Sequence, residues 1–192
     1  MRKSKIKRKT AETDIELSLN LDGYGKYRIK TTIPFIDHML SLFSKHSLVD
    51  LDVKAYGDTN VDNHHLVEDL GIVIGLAIKK ALGKKVGISR YGNFLLPMDE
   101  ALSYVAIDLS GRPYFSFDVR FEKSVDFDYS LLSEFFRAIS NSCEINLHIK
   151  NHTGKNNHHI AESVFKGFAK ALQQAVKINK KIRGIPSTKK ML

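Results

Sequence analysis

The sequence predicts an α+β fold built from two similar halves, and three observations support this prediction. A five-residue pattern occurs twice, as His64-His65-Leu66-Val67-Glu68 and as His158-His159-Ile160-Ala161-Glu162. Each copy opens an amphipathic stretch typical of a helix and follows segments that alternate like half-buried strands. The length of 192 residues also fits two halves of ~90 residues in one compact unit. We therefore place the halves at residues 1–92 and 93–192.

The first half opens with a basic run and a predicted hairpin. The run from Arg2 to Lys9 is predicted to be a solvated, frayed tail. Apolar and polar residues alternate over 15–21 and again over 27–29, on either side of the turn residues Asp22 to Gly25. This arrangement predicts a β-hairpin.

The rest of the first half is predicted to form a helix, a strand and a second helix. Pro34 marks the start of a short, largely buried helix that includes residues 35–43. Alternation over 49–55 predicts a third strand. The helix that opens with the first pattern is expected over 64–82, and Gly83 would end it.

The second half repeats this order, so the duplication extends beyond the five-residue pattern. Its predicted elements are a strand over 101–109, a return strand over 114–119, a helix through 131–139 capped by Asp128, a strand over 145–149 and a helix over 158–178. Two βαβ-containing halves follow from this order.

The repeated pattern places two imidazoles and a carboxylate on the first turn of each helix. Residues three and four apart lie on one helix face, so His64 and His65 are both expected to share a position with Glu68. The paired histidines of the second copy should do the same with Glu162. Neutral imidazole and carboxylate suit Mn, Fe, Co, Ni or Zn. A single copy is most often a hydrated helix start, but two matching copies favour a metal site.

His38 and Glu134 have two open interpretations each, and His46 has one. His38 lies within the apolar helix over 35–43 and is either a core histidine or a metal ligand. Superposing the halves sets Glu134 opposite His38, so Glu134 is either a ligand at a second, pseudo-twofold site or a solvated helix carboxylate. His46 could simply be a cation that complements the helix dipole.

The composition bounds the class of protein and its partners. A formal charge of +9 and a pI near 9.5 point to an anionic partner, which could be nucleic acid, a membrane surface or a phosphorylated metabolite. The segment from Gly184 to Lys190 mixes turn formers, hydroxyls and ammonium groups, which suits an oxyanion. The single cysteine, Cys143, excludes an internal disulfide and is expected to be a buried thiol. No secretory signal or membrane-spanning run occurs, so a cytoplasmic protein is expected.

Six segments of the chain closely resemble the imidazoleglycerol-phosphate dehydratase family. They are residues 33–40, 62–69, 97–101, 108–113, 154–162 and 185–189. The match runs from about Thr10 to the C-terminus in the family's order and spacing. The resemblance implies that each half packs a four-stranded sheet on two helices. It also implies a homo-oligomer of twenty-four subunits whose active sites lie between subunits, each with two Mn²⁺ ions.

The resemblance implies a role for individual residues. The implied metal ligands are His38, His64, His65, Glu68, Glu134, His158, His159 and Glu162, with Glu134 standing where plant members have a ligand histidine. The implied catalytic acids and bases are Glu12, Glu68 and Glu162. The residues implied to bind substrate, chiefly its phosphate, are Glu12, His46, Arg90, Arg112, Lys166, Ser187, Thr188 and Lys189.

The implied reaction is a lyase step of histidine biosynthesis. D-erythro-imidazole glycerol phosphate, a phosphorylated imidazole, loses water through imidazolate and diazafulvene forms and becomes imidazole acetol phosphate. Another metal-dependent lyase or hydrolase with a phosphorylated substrate is the first alternative. A basic nucleic-acid-binding protein is the second, but the basic residues cluster at the termini and no aromatic RNA-recognition motif occurs. No nucleic-acid or membrane partner is therefore predicted.

Overall fold

Two four-stranded sheets with the same strand order form the framework of the computed structural model, which describes residues 1–189. The first repeat contains β1 (Lys3–Lys9), β2 (Thr13–Asn20), β3 (Tyr27–Lys30), α1 (Pro34–Ser47), β4 (Asp50–Gly57) and α2 (His64–Leu82). The second repeat contains β5 (Tyr91–Met98), β6 (Ala101–Asp108), β7 (Tyr114–Asp118), α3 (Leu131–Cys143), β8 (Asn146–Thr153) and α4 (Asn157–Ala175). The sheet orders are β1-β2-β4-β3 and β5-β6-β8-β7. The predicted α+β fold with four strands in each half is confirmed, and the expected division at residues 92 and 93 falls within β5.

The predicted hairpin between the segments 15–21 and 27–29 is wrong. β2 pairs with β1 and β4, whereas β3 runs parallel to β4, with Tyr27 opposite Leu51. The Asp50 carboxylate accepts the backbone N–H groups of Tyr24 and Lys26, which ties the turn to the start of β4. β3, α1 and β4 therefore form a βαβ unit, and β7, α3 and β8 form its counterpart.

The basic N-terminal run is also not the frayed tail that its composition suggested. It forms the edge strand β1, antiparallel to β2 over its whole length, and the Ser4 hydroxyl donates to the Ala77 carbonyl at 2.8 Å. Lysines suit such an edge because their charge discourages pairing with another chain. β5 occupies the same position in the second sheet and was likewise not predicted.

The helices match their predictions best where a cap or a proline fixes the end. α2 has the expected bounds and ends before Gly83, and α1 begins at Pro34 but continues to Ser47. α3 begins at Leu131; Asp128 does not cap it and instead accepts the backbone N–H of Ser130. α4 ends at Ala175, three residues before Ile178, which forms an isolated bridge with Ile88.

The two repeats are held together by helices that pack across them. α1 of the first repeat packs on α4 of the second, and α3 of the second packs on α2 of the first. Gly71 and Gly75 allow the second contact, because a Cβ at Gly71 would lie 2.4 Å from the Phe135 carbonyl oxygen. Cys143 is buried in this interface, and burial raises the pKa of its thiol to about 12. Within residues 1–189, no helix is long and apolar enough to cross a membrane.

Candidate functional site

Three potential metal ligands from both repeats converge on one point. His38 Nε2 lies 2.9 Å and His158 Nε2 lies 3.1 Å from the same carboxylate oxygen, Oε1 of Glu162. One ligand atom from each of these residues lies within 4.8 Å of the others. The second carboxylate oxygen, Oε2, accepts a hydrogen bond from Lys166 Nζ at 2.5 Å. We call His38, His158 and Glu162 the cross-repeat triad.

Local helix geometry and helix packing explain this convergence. His158 and Glu162 are four residues apart on α4 and therefore share a face. The Asn156 side chain caps α4 by accepting the backbone N–H groups of His158 and His159. The packing of α1 on α4 then supplies His38, whose side chain is 46% exposed. The interpretation of His38 as a core histidine is therefore wrong.

Glu162 is the charged centre of the triad. Burial acts to raise the pKa of its carboxyl, but the hydrogen bonds with Lys166, His38 and His158 lower that pKa to about 2. The carboxylate is therefore ionised throughout the physiological range. Two imidazoles and one carboxylate are a donor set that suits a divalent first-row transition metal.

The first repeat lacks an equivalent triad among the residues described. His64 Nε2 lies 3.5 Å from Glu68 Oε2, and both side chains are nearly half exposed. Glu134, expected opposite His38, belongs to no group of three potential ligands within residues 1–189. Its carboxylate instead lies 3.5 Å from Nε of Arg137 on the same helix.

The second histidine of each pattern does not share a position with the glutamate three residues later, which contradicts the expectation from spacing. His65 Nδ1 lies 3.2 Å from the Asp58 carboxylate and 3.7 Å from Glu12 Oε2, and these three residues form a second group of potential ligands. Asp58 was missed, although it lies in the polar loop that precedes the first pattern. Its carboxylate raises the pKa of His65.

His159 is held in a similar way by Glu100, the other residue that the sequence analysis missed. His159 Nδ1 lies 2.7 Å from Glu100 Oε2. Glu100 Oε1 accepts the backbone N–H groups of Lys155 and Asn156 at 3.1 and 2.9 Å. The hydrogen bond with His159 and these N–H groups lower the pKa of Glu100 to about 2, and Glu100 in turn raises the pKa of His159.

His46 is not the dipole-complementing cation that its position suggested. Burial and the nearby ammonium groups of Lys166 and Lys170 lower the pKa of His46, so its imidazole is neutral at physiological pH. His46 and Lys166 lie on α1 and α4, the two helices that pack on each other and carry the cross-repeat triad. The family resemblance implies that both bind substrate, chiefly its phosphate, but neither lines the cavity described next.

The remaining cationic and hydroxyl residues line a separate cavity of about 860 Å³. Its lining is Arg90, Tyr91, Ser110, Gly111, Arg112, Pro186, Ser187, Thr188 and Lys189. Arg90 forms a bidentate ion pair with Asp108 and donates to the Pro186 carbonyl at 3.0 Å, which ties the C-terminal segment to β6. Guanidinium, ammonium and hydroxyl donors around one cavity suit a phosphate. Lys190 lies outside the described residues.

Comparisons with known proteins agree with this architecture. The family model for imidazoleglycerol-phosphate dehydratase matches residues 31–172. The imidazoleglycerol-phosphate dehydratases of Endomicrobium trichonymphae and Clostridium kluyveri are each 55% identical over 100% of this chain, covering 98% and 100% of their own lengths. The crystal structure of the Staphylococcus aureus dehydratase superposes with a TM-score of 0.83 at 37% identity, covering 92% of this chain and 99% of that one. The Pyrococcus furiosus enzyme in complex with (S)-C348 has the same TM-score and identity, covering 97% and 100%.

Proposed function

The chain belongs to the imidazoleglycerol-phosphate dehydratase family and is a hydro-lyase, and from that premise we propose its substrate, cofactor and assembly. It converts D-erythro-imidazole glycerol phosphate to imidazole acetol phosphate and water in histidine biosynthesis. The reaction uses two Mn²⁺ ions per active site. The observation that carries this proposal is the cross-repeat triad, because two imidazoles and a carboxylate within 4.8 Å are a donor set that fits Mn²⁺.

Each group of residues has a task in this reaction. A bound divalent ion supplies Lewis acidity that stabilises negative charge on the substrate's imidazole ring. His38, His158 and Glu162 hold one ion, while His64, His65, Glu68, Glu134 and His159 provide the remaining ligands. Arg112, Ser187, Thr188 and Lys189 hold the phosphate, together with Arg90. Anchoring the phosphate supplies binding energy that positions the reacting carbons.

Glu12 is the glutamate best suited to move a proton. Its side chain is 54% exposed, and its nearest imidazole nitrogen, Nδ1 of His65, is 3.7 Å away. Glu162, by contrast, is committed to three partners and has a pKa of about 2, which makes it a weak base. A carboxylate at position 12 can take the proton from the hydroxyl-bearing carbon next to the ring-attached carbon that loses its own hydroxyl. Glu162 and Glu68 then act as ligands.

The active sites lie between subunits of a 24-subunit assembly. Within residues 1–189, the potential ligands fall into two separate groups of three, and neither group contains His64 or His159. An octahedral ion takes six ligands, and we propose that residues of a neighbouring subunit, together with water or substrate, fill the positions that these groups leave open. Removal of metal should then loosen the assembly. We expect chelator-treated protein to elute later in size-exclusion chromatography, and an unchanged elution volume would count against a metal-held interface.

The reaction is tested by stripping the protein of metal and measuring product with and without added Mn²⁺. Imidazole acetol phosphate should form only after Mn²⁺ is restored, with Mg²⁺ as the comparison ion. The matched control is Glu16→Gln, which removes a surface carboxylate that pairs with Lys7 on the first sheet. If folded protein forms no product with any divalent metal, the proposed reaction is rejected.

A further inference from the structure

We propose that Glu100 is a positioning residue that fixes the tautomer and orientation of His159, an inference that rests on the proposed metal-dependent function. Glu100 Oε2 lies 2.7 Å from His159 Nδ1. An ionised carboxylate can only accept hydrogen bonds, so in the neutral imidazole Nδ1 carries the proton. Nε2 lies 3.6 Å from Asp99 Oδ2, beyond hydrogen-bond distance, so its lone pair is available to bind a metal ion.

Glu100 is itself held in place by the backbone it contacts. Its Oε1 accepts the N–H groups of Lys155 and Asn156, and its carbonyl accepts the Thr153 hydroxyl at 2.9 Å. Asn156 is the residue that caps α4. One side chain therefore connects the β5–β6 turn, the loop before α4 and the imidazole of His159, so the ring cannot rotate without breaking the hydrogen bond to Glu100.

The corresponding glutamate of the first repeat is not used in this way. Glu12 directly precedes β2 as Glu100 directly precedes β6, so the two occupy the same place in the duplicated fold. Glu12 Oε2 is 3.7 Å from His65 Nδ1, and Asp58 makes the closer contact at 3.2 Å. The two equivalent glutamates therefore have different roles: Glu12 remains available for proton transfer, and Glu100 orients the ligand His159.

The variant Glu100→Gln tests this role because the shape is kept and one acceptor is lost. Three donors face position 100, and the single amide oxygen cannot accept from both the backbone and His159. When the oxygen faces the backbone, the amide NH₂ meets Nδ1 and moves the imidazole proton to Nε2. We expect Mn²⁺ affinity, measured by titration calorimetry on the metal-stripped oligomer, to fall about 10- to 100-fold, as for other outer-shell partners.

Excess Mn²⁺ should restore much of the activity of Glu100→Gln, whereas a merely structural role would lower the melting temperature and leave Mn²⁺ affinity unchanged. Glu16→Gln is the control and should bind Mn²⁺ as wild type does. If Glu100→Gln does not fold, Glu100→Asp is measured; it keeps the charge but is too short to reach both the backbone and His159. Wild-type Mn²⁺ affinity in a folded variant at position 100 overturns the positioning role alone, whereas wild-type protein that binds no Mn²⁺ overturns the proposed function.

Discussion

The first histidine and the glutamate of the repeated pattern have different surroundings in the two repeats. In the second repeat, the Glu162 side chain is only 10% exposed and contacts His158, His38 and Lys166. In the first repeat, the Glu68 side chain is 47% exposed, and its Oε2 lies 3.5 Å from His64 Nε2. The same five-residue pattern therefore forms an assembled site in one repeat and an open one in the other.

Two positions account for the difference. Lys166, whose ammonium group binds Glu162, corresponds to the apolar Ile72 in the first repeat. His38 corresponds to Glu134, and a second carboxylate placed next to Glu68 would repel it, whereas an imidazole attracts Glu162. A cation can overcome that repulsion. Under the proposed function, we therefore expect the open site of the first repeat to depend on bound metal more strongly than the cross-repeat triad does.

The largest expected effect on Mn²⁺ affinity comes from removing the glutamate that ends each five-residue pattern. Glu162→Gln should lower Mn²⁺ affinity and kcat/KM by more than ~100-fold, above the range for outer-shell partners, because it removes both a ligand and the acceptor shared by His38 and His158. Glu68→Gln should have a smaller effect because Glu68 is exposed and lacks those contacts. Calorimetric titration of both variants with Mn²⁺ gives the comparison, and equal losses would show that the two sites become equivalent once metal binds.

Acidification should weaken metal binding next most strongly. Carboxylate partners raise the pKa of both His65 and His159 above the ordinary value of 6.5, so both imidazoles begin to gain protons above that pH. Protonated imidazole cannot bind metal, so Mn²⁺ affinity should fall as pH falls through this range, by up to ~10-fold per pH unit for each histidine that protonates. Affinity measured from pH 8 to pH 5.5 tests the sign. Affinity that is constant over this range would exclude both histidines as ligands.

Glu134→Ala should have a moderate effect on the first site. We expect a loss of Mn²⁺ affinity of about 10-fold, less than for His38→Ala, because the Glu134 carboxylate is shared with Arg137. Arg137→Ala is the matched control and should leave affinity at or above the wild-type value. Unchanged affinity in Glu134→Ala would remove Glu134 from the ligand set and make the two sites different in composition.

The sequence predicted the helices and the central strands of this fold because their burial pattern is strong. β2 and β6 alternate strictly between buried and partly exposed residues, and α2 has an apolar face along its whole length. The edge strands β1 and β5 gave no comparable signal: β1 buries only Ser4. The sequence also did not predict which strands pair with each other. The turn residues after β2 indicate a change of chain direction, but they do not indicate which strand pairs with β2.

At the candidate site, contacts within one helix could be predicted from residue spacing, whereas contacts between different elements could not be predicted from the sequence. The pairing of His158 with Glu162 follows from the helical repeat. The contacts of Asp58 with His65 and of Glu100 with His159 join loops to helices over 7 and 59 residues of sequence, and no local pattern encodes them. The convergence of His38 on Glu162, 124 residues away, depends on helix packing between the repeats.

The smallest effect should separate stability from metal binding. The residue after each glutamate connects its helix to the sheet: Asp69 accepts from Arg8 and from the Thr13 hydroxyl, whereas Ser163 shares a hydrogen bond with Ser103 at 2.6 Å. Hydrogen bonds to charged groups are the stronger, so Asp69→Ala should lower the free energy of unfolding by about 2 kcal/mol and Ser163→Ala by about 1 kcal/mol. Denaturant unfolding of metal-stripped protein measures both. If Ser163→Ala is the more destabilising, the charged connection is not what anchors α2, and tight packing around α4 dominates. Neither residue touches a ligand group, so the Mn²⁺ affinity of both folded variants should stay within a few-fold of the wild-type value.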